Sequence, residues 1–476
     1  MMQRRLHLPR PDDAAIHAAF ANLRDELDVS FDFSGPVLAD AKAAVGAPRL
    51  PVVDETHIPF LTIDPPESRD LDQALHLERR GSGYRVRYAI ADVAAFVTAA
   101  EPMDVEAHIR GQTLYAPDGN ARLYPPTLSE DAGSLLPDEV RPALVWEMNL
   151  DATGEGTSAN VRRALVRSRA KLDYASVQRS LDAGSAEEPL RLLREVGRLR
   201  QSREARRGGI NLPIPDQVVE HDVDGYHLAF RALLPVEGWN AQISLLTGMA
   251  AANLMLGAGI GLLRTLPVAE KRDVERLRRT AKALGVEWSR AVPYAEFIRT
   301  LDATRAEQAA VLSESTLLLR GAGYLAFDGK APTHAEHSGV ASTYAHATAP
   351  LRRLADRYVG EVCVAVSAGK PVPEWVRAAL PGLPETMARS NRRAQQYEGG
   401  IISVVEAAVL EPSVGRMFDA VVVDVDENDD AGTVQLQEPA VTARCEGKNL
   451  PLGERVVVRL EVADVAKRQV RFVLAE

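Results

Sequence analysis

At 476 residues, with 46% hydrophobic and 26% charged side chains, the chain is long enough for two or three domains and has the composition of an ordinary globular protein. Its two cysteines, Cys363 and Cys445, stand far apart with no partner at metal spacing, which excludes a thiolate zinc site and suits a reducing cytoplasm. No apolar run of about 18 residues marks a membrane span, the first ten residues lack a signal peptide's apolar stretch, and a net charge of −10 leaves nucleic-acid binding to local basic patches.

Residues 12–27 place Ile16, Phe20, Leu23 and Leu27 on one helical stripe, and a second helix is expected over 36–45. Together they predict a small helical element over residues 1–50, of helix-turn-helix type. From Val52 the texture changes. Segment 84–90 alternates as a strand after a turn at Gly81-Ser82-Gly83, and 144–150 and 161–169 read as strands around a turn at 152–154. Helices are expected near 186–207, 239–257, 271–285 and 303–321, so the mixture predicts an α+β domain over 51–410. Beyond Pro412, short strands at 417–425, 433–437, 440–445, 455–462 and 469–474 fit a five-stranded OB-fold β-barrel over 411–476. Such a barrel suits single-stranded nucleic acid, but Phe418 and Phe472 are its only aromatics, so stacking would be modest.

Segment 62–75, T-I-D-P-P-E-S-R-D-L-D-Q-A-L, carries the densest chemistry. Asp64, Asp70 and Asp72 repel one another, and a fold holds such carboxylates together mainly when a hard divalent cation neutralises them. Asp70 and Asp72 alternate across Leu71, and the Pro65-Pro66 turn can swing Asp64 towards the same point. That layout fits a Mg²⁺ or Mn²⁺ site for phosphoryl chemistry; the plainer alternative is an acidic surface loop.

Segment 344–356, Y-A-H-A-T-A-P-L-R-R-L-A-D, sets a proline and two arginines at a helix start, an arrangement that favours phosphate. The plainer alternative is a capped helix in which Arg353 pairs with Asp356. His334 and His337 lack a helical frame or a nearby Cys, which favours structural histidines over zinc ligands. Basic runs at 162–171 and 191–207 are either nucleic-acid tracks or solvated faces.

These two long motifs, in this order, resemble the ribonuclease II / ribonuclease R family, whose RNB domain has an early T-I-D…D-x-D-D signature and a late Y-x-H-x-T-[SA]-P-[IL]-R-[RK]-x-x-D signature. The resemblance covers residues 52–410, with the OB barrel in the family's expected place. It implies a 3′→5′ exoribonuclease that hydrolyses RNA to 5′-mononucleotides with two Mg²⁺ or Mn²⁺ ions, working as a monomer. On that basis Asp64, Asp70, Asp72 and Gln73 fall on the metal positions, and Asp70, Asp72, Arg352 and Glu398 on the catalytic ones. Tyr115, Tyr174, Leu212, His346, Arg352 and Arg353 are the expected RNA contacts.

Departures from the family pattern are equally legible. Gln73 stands at the fourth acidic position and brings no charge; Leu212 stands where a clamping aromatic is usual; Leu246 and Thr247 replace a glutamate pair on the central helix. Helices replace the usual N-terminal cold-shock barrels, which predicts an open entrance and tolerance of partly structured RNA. Two rival readings follow: a catalytically inactive RNB-fold RNA-binding protein, and a metal-dependent nuclease acting on DNA.

Overall fold

The computed structural model describes residues 13–210, 212, 216–222, 225–426 and 430–475. α1 (Asp13–Glu26) buries Ile16, Ala19, Phe20 and Leu23, the stripe of an amphipathic helix. α2 (Gly35–Gly46) opens with Pro36, whose missing N–H costs nothing in a first turn, and buries Val37 and Ala41. Both helices expected over residues 1–50 are present. Each helix has one narrow apolar stripe, and the stripes enter different clusters: that of α1 packs on the helix over 383–410, in the cluster shared with the C-terminal barrel, and that of α2 joins the central one.

β1 (Phe60–Ile63), β2 (Gln73–Arg80) and β3 (Gly83–Ala91) come next. α3 (Pro102–Arg110) stops at Gly111, whose φ of 72° disfavours any side chain and whose Cβ would meet Ser390 Cβ at 2.5 Å. A short hairpin, β4 (Leu114–Ala116) and β5 (Gly119–Ala121), leads to β6 (Val140–Leu150) and β7 (Gly156–Leu172). Strands β1, β2, β3, β6 and β7 close into a barrel, antiparallel everywhere except at the β1–β7 seam. Leu75, Tyr88 and Trp146 are successive cross-strand neighbours in it, and all are buried.

α4 (Tyr174–Asp182) begins where Asp173 caps it, the Ser176 N–H donating to Asp173 Oδ1 at 2.7 Å. After α5 (Glu188–Arg207) and the hairpin β8 (Asp216–Asp222) and β9 (Gly225–Arg231) comes α6 (Pro235–Ala258). By length and composition α6 could cross a bilayer, but it is the core helix, burying Val236, Trp239, Ile243 and Met255 in the central cluster. β10 (Ile260–Thr265) pairs with β11 (Gly323–Asp328) around an excursion of α7 (Lys271–Ala283), α8 (Tyr294–Ile298) and α9 (Ala306–Ser315). That excursion has its own cluster, including Leu277, Phe297, Ile298 and Val311. The helix expected over 303–321 is shorter, ending as a 3₁₀ turn at Thr316–Leu319.

The small pair β12 (Glu336–His337) and β13 (Ser342–Thr343) precedes α10 (Leu354–Ser367), α11 (Glu374–Ala379) and α12 (Leu383–Leu410). Strands β14 (Met417–Val425), β15 (Ala431–Gln435), β16 (Thr442–Glu446), β17 (Arg455–Asp464) and β18 (Gln469–Leu474) form the expected second closed barrel. Phe418 and Phe472 meet edge-on at 5.9 Å inside it, so both are core and neither offers a face to a base.

Candidate functional site

The loop 64–72 leaves β1 at Ile63 and re-enters the barrel at Gln73, and the Leu61–Leu75 pairing holds its two ends side by side. Its path is fixed by polar staples. Lys171 Nζ donates to the carbonyls of Pro66 at 2.6 Å and Ser68 at 2.5 Å. Ser134 Oγ accepts the Leu71 N–H at 2.9 Å and donates to the Arg69 carbonyl at 2.5 Å.

Asp72 is 2% exposed. Its Oδ1 accepts the Leu351 N–H at 2.7 Å, and its Oδ2 accepts Arg352 Nε at 2.6 Å. Burial pushes its carboxyl up to about 7 against the opposing pull of Arg352. Asp64 is also raised to about 7 by burial, with Arg352 opposing and the charges of Asp72 and Asp70 adding to the rise. Burial works against the charge on Arg352, but Asp72, Tyr115 and Asp70 outweigh it and raise its pKa. Asp70 accepts the Tyr115 hydroxyl at 2.8 Å, while Tyr115 as a residue is 42% exposed. The Thr113 N–H donates to the Arg352 carbonyl at 2.9 Å, tying the β4 approach to the arginine segment.

Gln73 is hydrogen-bonded through both the nitrogen and the oxygen of its amide. Its Nε2 donates to the Thr348 carbonyl at 2.7 Å, and its Oε1 accepts the Tyr88 hydroxyl, which also meets Ser244 Oγ at 3.0 Å. Tyr174, at the start of α4, accepts Asn240 Nδ2 at 3.2 Å, and its pKa is raised by burial and by the Asp64 charge. Tyr88, Asn240 and Ser244 escaped the sequence reading, because Tyr88 reads as an ordinary strand residue and the other two as ordinary helix residues. The α6 positions singled out instead do not reach this network. Thr247 Oγ1 donates to the Ile243 carbonyl at 2.9 Å, and Leu246 lies against Gly156.

Several expected site residues are committed elsewhere. Arg353 forks onto Asp356 at 2.5 and 2.9 Å, the plainer alternative named from the sequence, and Asp356 also accepts the Ala349 N–H, which braces the turn that aims Arg352. His346 Nδ1 meets the Tyr324 hydroxyl at 2.7 Å, wedged edge-on between Tyr324 and Tyr344, and burial keeps it neutral. Leu212 packs on the α7–α9 cluster. Glu398 lies exposed on α12 and has no hydrogen bond or ion pair among the described residues. The basic runs are largely spent in the fold. Arg162 pairs with Glu55, Arg163 with Asp92 and Glu361, Arg169 with Glu187, and Arg203 with Glu155.

The donor set of Asp64, Asp70 and Asp72 is all oxygen, which fits a hard divalent cation, and no protein group among the described residues hydrogen-bonds the Asp64 side chain. Their present rotamers do not chelate: among the described residues no group of three or more His, Cys, Asp or Glu stands at ion-holding spacing. The partners explain this, since Asp72 is turned to Arg352 and Asp70 to Tyr115.

Comparison with known proteins places this geometry. The profile of the RNB domain matches residues 52–367, and that of the RNase II-type exonuclease C-terminal S1 domain matches residues 416–475. The chain is 27% identical over 459 residues to Ribonuclease R of Aquifex aeolicus, covering 87% of this chain and 64% of that one. To Exosome complex exonuclease RRP44 homolog A of Arabidopsis thaliana it is 28% identical over 340 residues, covering 66% of this chain and 35% of that one. The chain thus spans between about a third and two thirds of the length of these relatives. The fold superposes on Mycoplasma genitalium RNase R in complex with ribose methylated single-stranded RNA with a TM-score of 0.85, at 17% identity, over 98% of this chain and 79% of that one. Yeast Ssd1, a pseudonuclease, superposes with a TM-score of 0.69, at 17% identity, over 87% of this chain and 53% of that one. With more than half its length matched by the RNB profile, the chain belongs to the RNB-domain family.

Proposed function

We propose that this protein is a metal-dependent 3′→5′ exoribonuclease that degrades single-stranded or partly structured RNA to nucleoside 5′-monophosphates, as a monomer in the cytoplasm. The observation that carries the reading is the joining of Asp72 to Arg352 across 280 positions. A pure binding module has no use for a buried carboxylate raised to about 7 beside a second one. Two buried, unpaired cysteines agree with a reducing compartment.

Asp64, Asp70 and Asp72 would hold Mg²⁺ or Mn²⁺, which when bound supplies charge stabilisation at the phosphate and a more acidic water. Arg352, at 39% side-chain exposure, can present its free guanidinium edge to a phosphate oxygen while Asp72 fixes the other. The Tyr115 ring offers a sequence-indifferent face for a base. Tyr174 and Asn240, one hydrogen-bonded unit beside Asp64, would meet ribose hydroxyls, the groups that separate RNA from DNA. The Gln73–Tyr88–Ser244 chain holds the floor of the site neutral.

The second reading, an inactive RNA-binding relic, is favoured by the engaged Gln73 amide and the solvent-facing Glu398. Incubating 5′-labelled RNA and DNA oligomers of one sequence with Mg²⁺ or Mn²⁺ separates the readings. A descending ladder and released 5′-mononucleotides from RNA alone support the exoribonuclease. Cleavage of the DNA oligomer, or of neither, contradicts it.

A further inference from the structure

On another face of α6 lies a cavity of about 370 Å³ between α5, α6 and the turn end of the β6–β7 hairpin. It shares no lining residue with the site described above. Its apolar wall is Leu246, Met249, Ala250 and Leu254, and its opposite lining includes Arg200 and Arg207.

Arg200 is the unusual member. It is 3% exposed, yet it has no ion pair among the described residues. Its Nη1 donates to the Gly154 carbonyl at 3.0 Å, its Nη2 lies 3.9 Å from Met249 Sδ, and its Nε finds no acceptor. The Nε of Arg207 is likewise buried and unmatched. One carboxylate, Glu204, acts on Arg200, Arg207 and Arg299 together, and it is itself engaged by Gln242 Nε2 at 2.8 Å. Glu155 also lines the cavity, and its carboxylate is taken by Arg203. Three cations therefore share one carboxylate in a largely buried region. An unpaired buried charge is costly, and a fold retains one where an anion completes it. Burial and the neighbouring Arg207 charge lower Arg200 to about 10, which still leaves it a cation at neutral pH.

We propose that this cavity binds a nucleoside 5′-monophosphate, its phosphate on Arg200 and Arg207 and its base against Leu246, Met249 and Leu254. Arginine forks match phosphate, the aliphatic wall suits a flat base, and Asn253 and Ser342 supply polar groups for ribose. The choice of a mononucleotide rests on the exoribonuclease reading, since that reaction releases one; the site would then sense its product outside the catalytic centre.

The test is calorimetric titration of metal-free protein with adenosine 5′-monophosphate, inorganic phosphate and adenosine, alongside Arg207→Gln and the cavity-filling Ala250→Phe. Neither residue belongs to the proposed catalytic set, so both variants retain parental RNA cleavage rates. The expected result is one site for the monophosphate, undisturbed by a single-stranded RNA oligomer, tenfold or more weaker in Arg207→Gln and absent in Ala250→Phe. Competition with RNA, unchanged affinity in both folded variants, or no binding overturns it. Inorganic phosphate binding as tightly as the monophosphate reduces the cavity to an anion site and overturns the nucleotide assignment. If the parent fails to cleave RNA yet binds the monophosphate at the cavity, the exoribonuclease reading fails and the cavity site stands.

Discussion

Arg352 Nε donates to Asp72 Oδ2 at 2.6 Å, joining the last turn before α10 to the loop that opens β2. The same carboxylate takes the Leu351 N–H, so one buried group fixes both the backbone and the side chain of the arginine segment. This contact converts two distant motifs into one site.

Arg352→Lys keeps the charge but loses the planar fork, so one group can no longer hold Asp72 and a phosphate at once. The expectation is a fall of at least tenfold in RNA cleavage, about 1.4 kcal/mol of barrier, with RNA affinity within a few-fold of the parent. Single-turnover cleavage and filter binding check it. Parental cleavage by the lysine variant would show that the fork has no role.

Gln73→Asp puts an acidic oxygen opposite the Thr348 carbonyl and removes the donor that now reaches it at 2.7 Å. Without added metal the variant is expected to be less stable by about 1–3 kcal/mol, the usual cost of an unmatched buried polar group. Denaturant unfolding in chelator measures this, and unchanged stability would mean that the Gln73 bridge contributes nothing.

How far the sequence reaches can be judged residue by residue here. The carboxylate loop and the arginine at the late helix start stand out in the sequence by residue type and spacing, whereas Tyr115 stands out only through the family resemblance; the structure joins all three by the Asp72–Arg352 and Asp70–Tyr115 contacts. The C-terminal strands were legible because alternation and glycine breaks are local. Closure of the first barrel was not, since the β1–β7 seam pairs Ile63 with Leu172, a contact no window of sequence contains. For Arg353 the plainer alternative, pairing with Asp356, was already open in the sequence and is the one the structure shows, while the Tyr324 partner of His346 lies 22 positions away and was not legible. The Tyr88–Gln73 contact joins a residue noted only as a departure from the family pattern to a strand tyrosine that nothing in the sequence marks.

Acid sensitivity follows from the His337 cluster. His337 is lowered to about 4, first by burial and then by the Arg264 charge, and His346 is lowered first by burial and then by the charges of Arg353 and Arg264. An unfolded histidine titrates near 6.5, so the unfolded chain binds more protons between about 6.5 and 4. The stability these groups provide is full above that window and is lost as pH falls through it. His337→Asn, which keeps an acceptor for the Val340 N–H, is expected to flatten the stability–pH slope there. An identical slope in parent and variant would contradict the assignment.

Glu406 behaves in the opposite sense. It is 7% exposed, and burial raises its carboxyl even though Gln217 Nε2 and the Thr442 N–H donate to it at 2.8 and 3.1 Å. A raised folded pKa means that stability falls as pH rises through it. Glu406→Gln keeps an acceptor oxygen without the charge, so its melting temperature should exceed the parent's at pH 8 and match it near pH 4. A variant less stable at both values would show that the charge is needed.

The central claim is that the Asp72 carboxylate serves cleavage and not RNA binding. It is tested most directly by comparing the parent with Asp72→Asn on one 5′-labelled single-stranded RNA in Mg²⁺ or Mn²⁺, following cleavage and binding on the same preparations. The account predicts a descending ladder from the parent, and from Asp72→Asn no ladder but near-parental binding. Equal cleavage by both proteins, or no cleavage by either with tight binding by both, would contradict it.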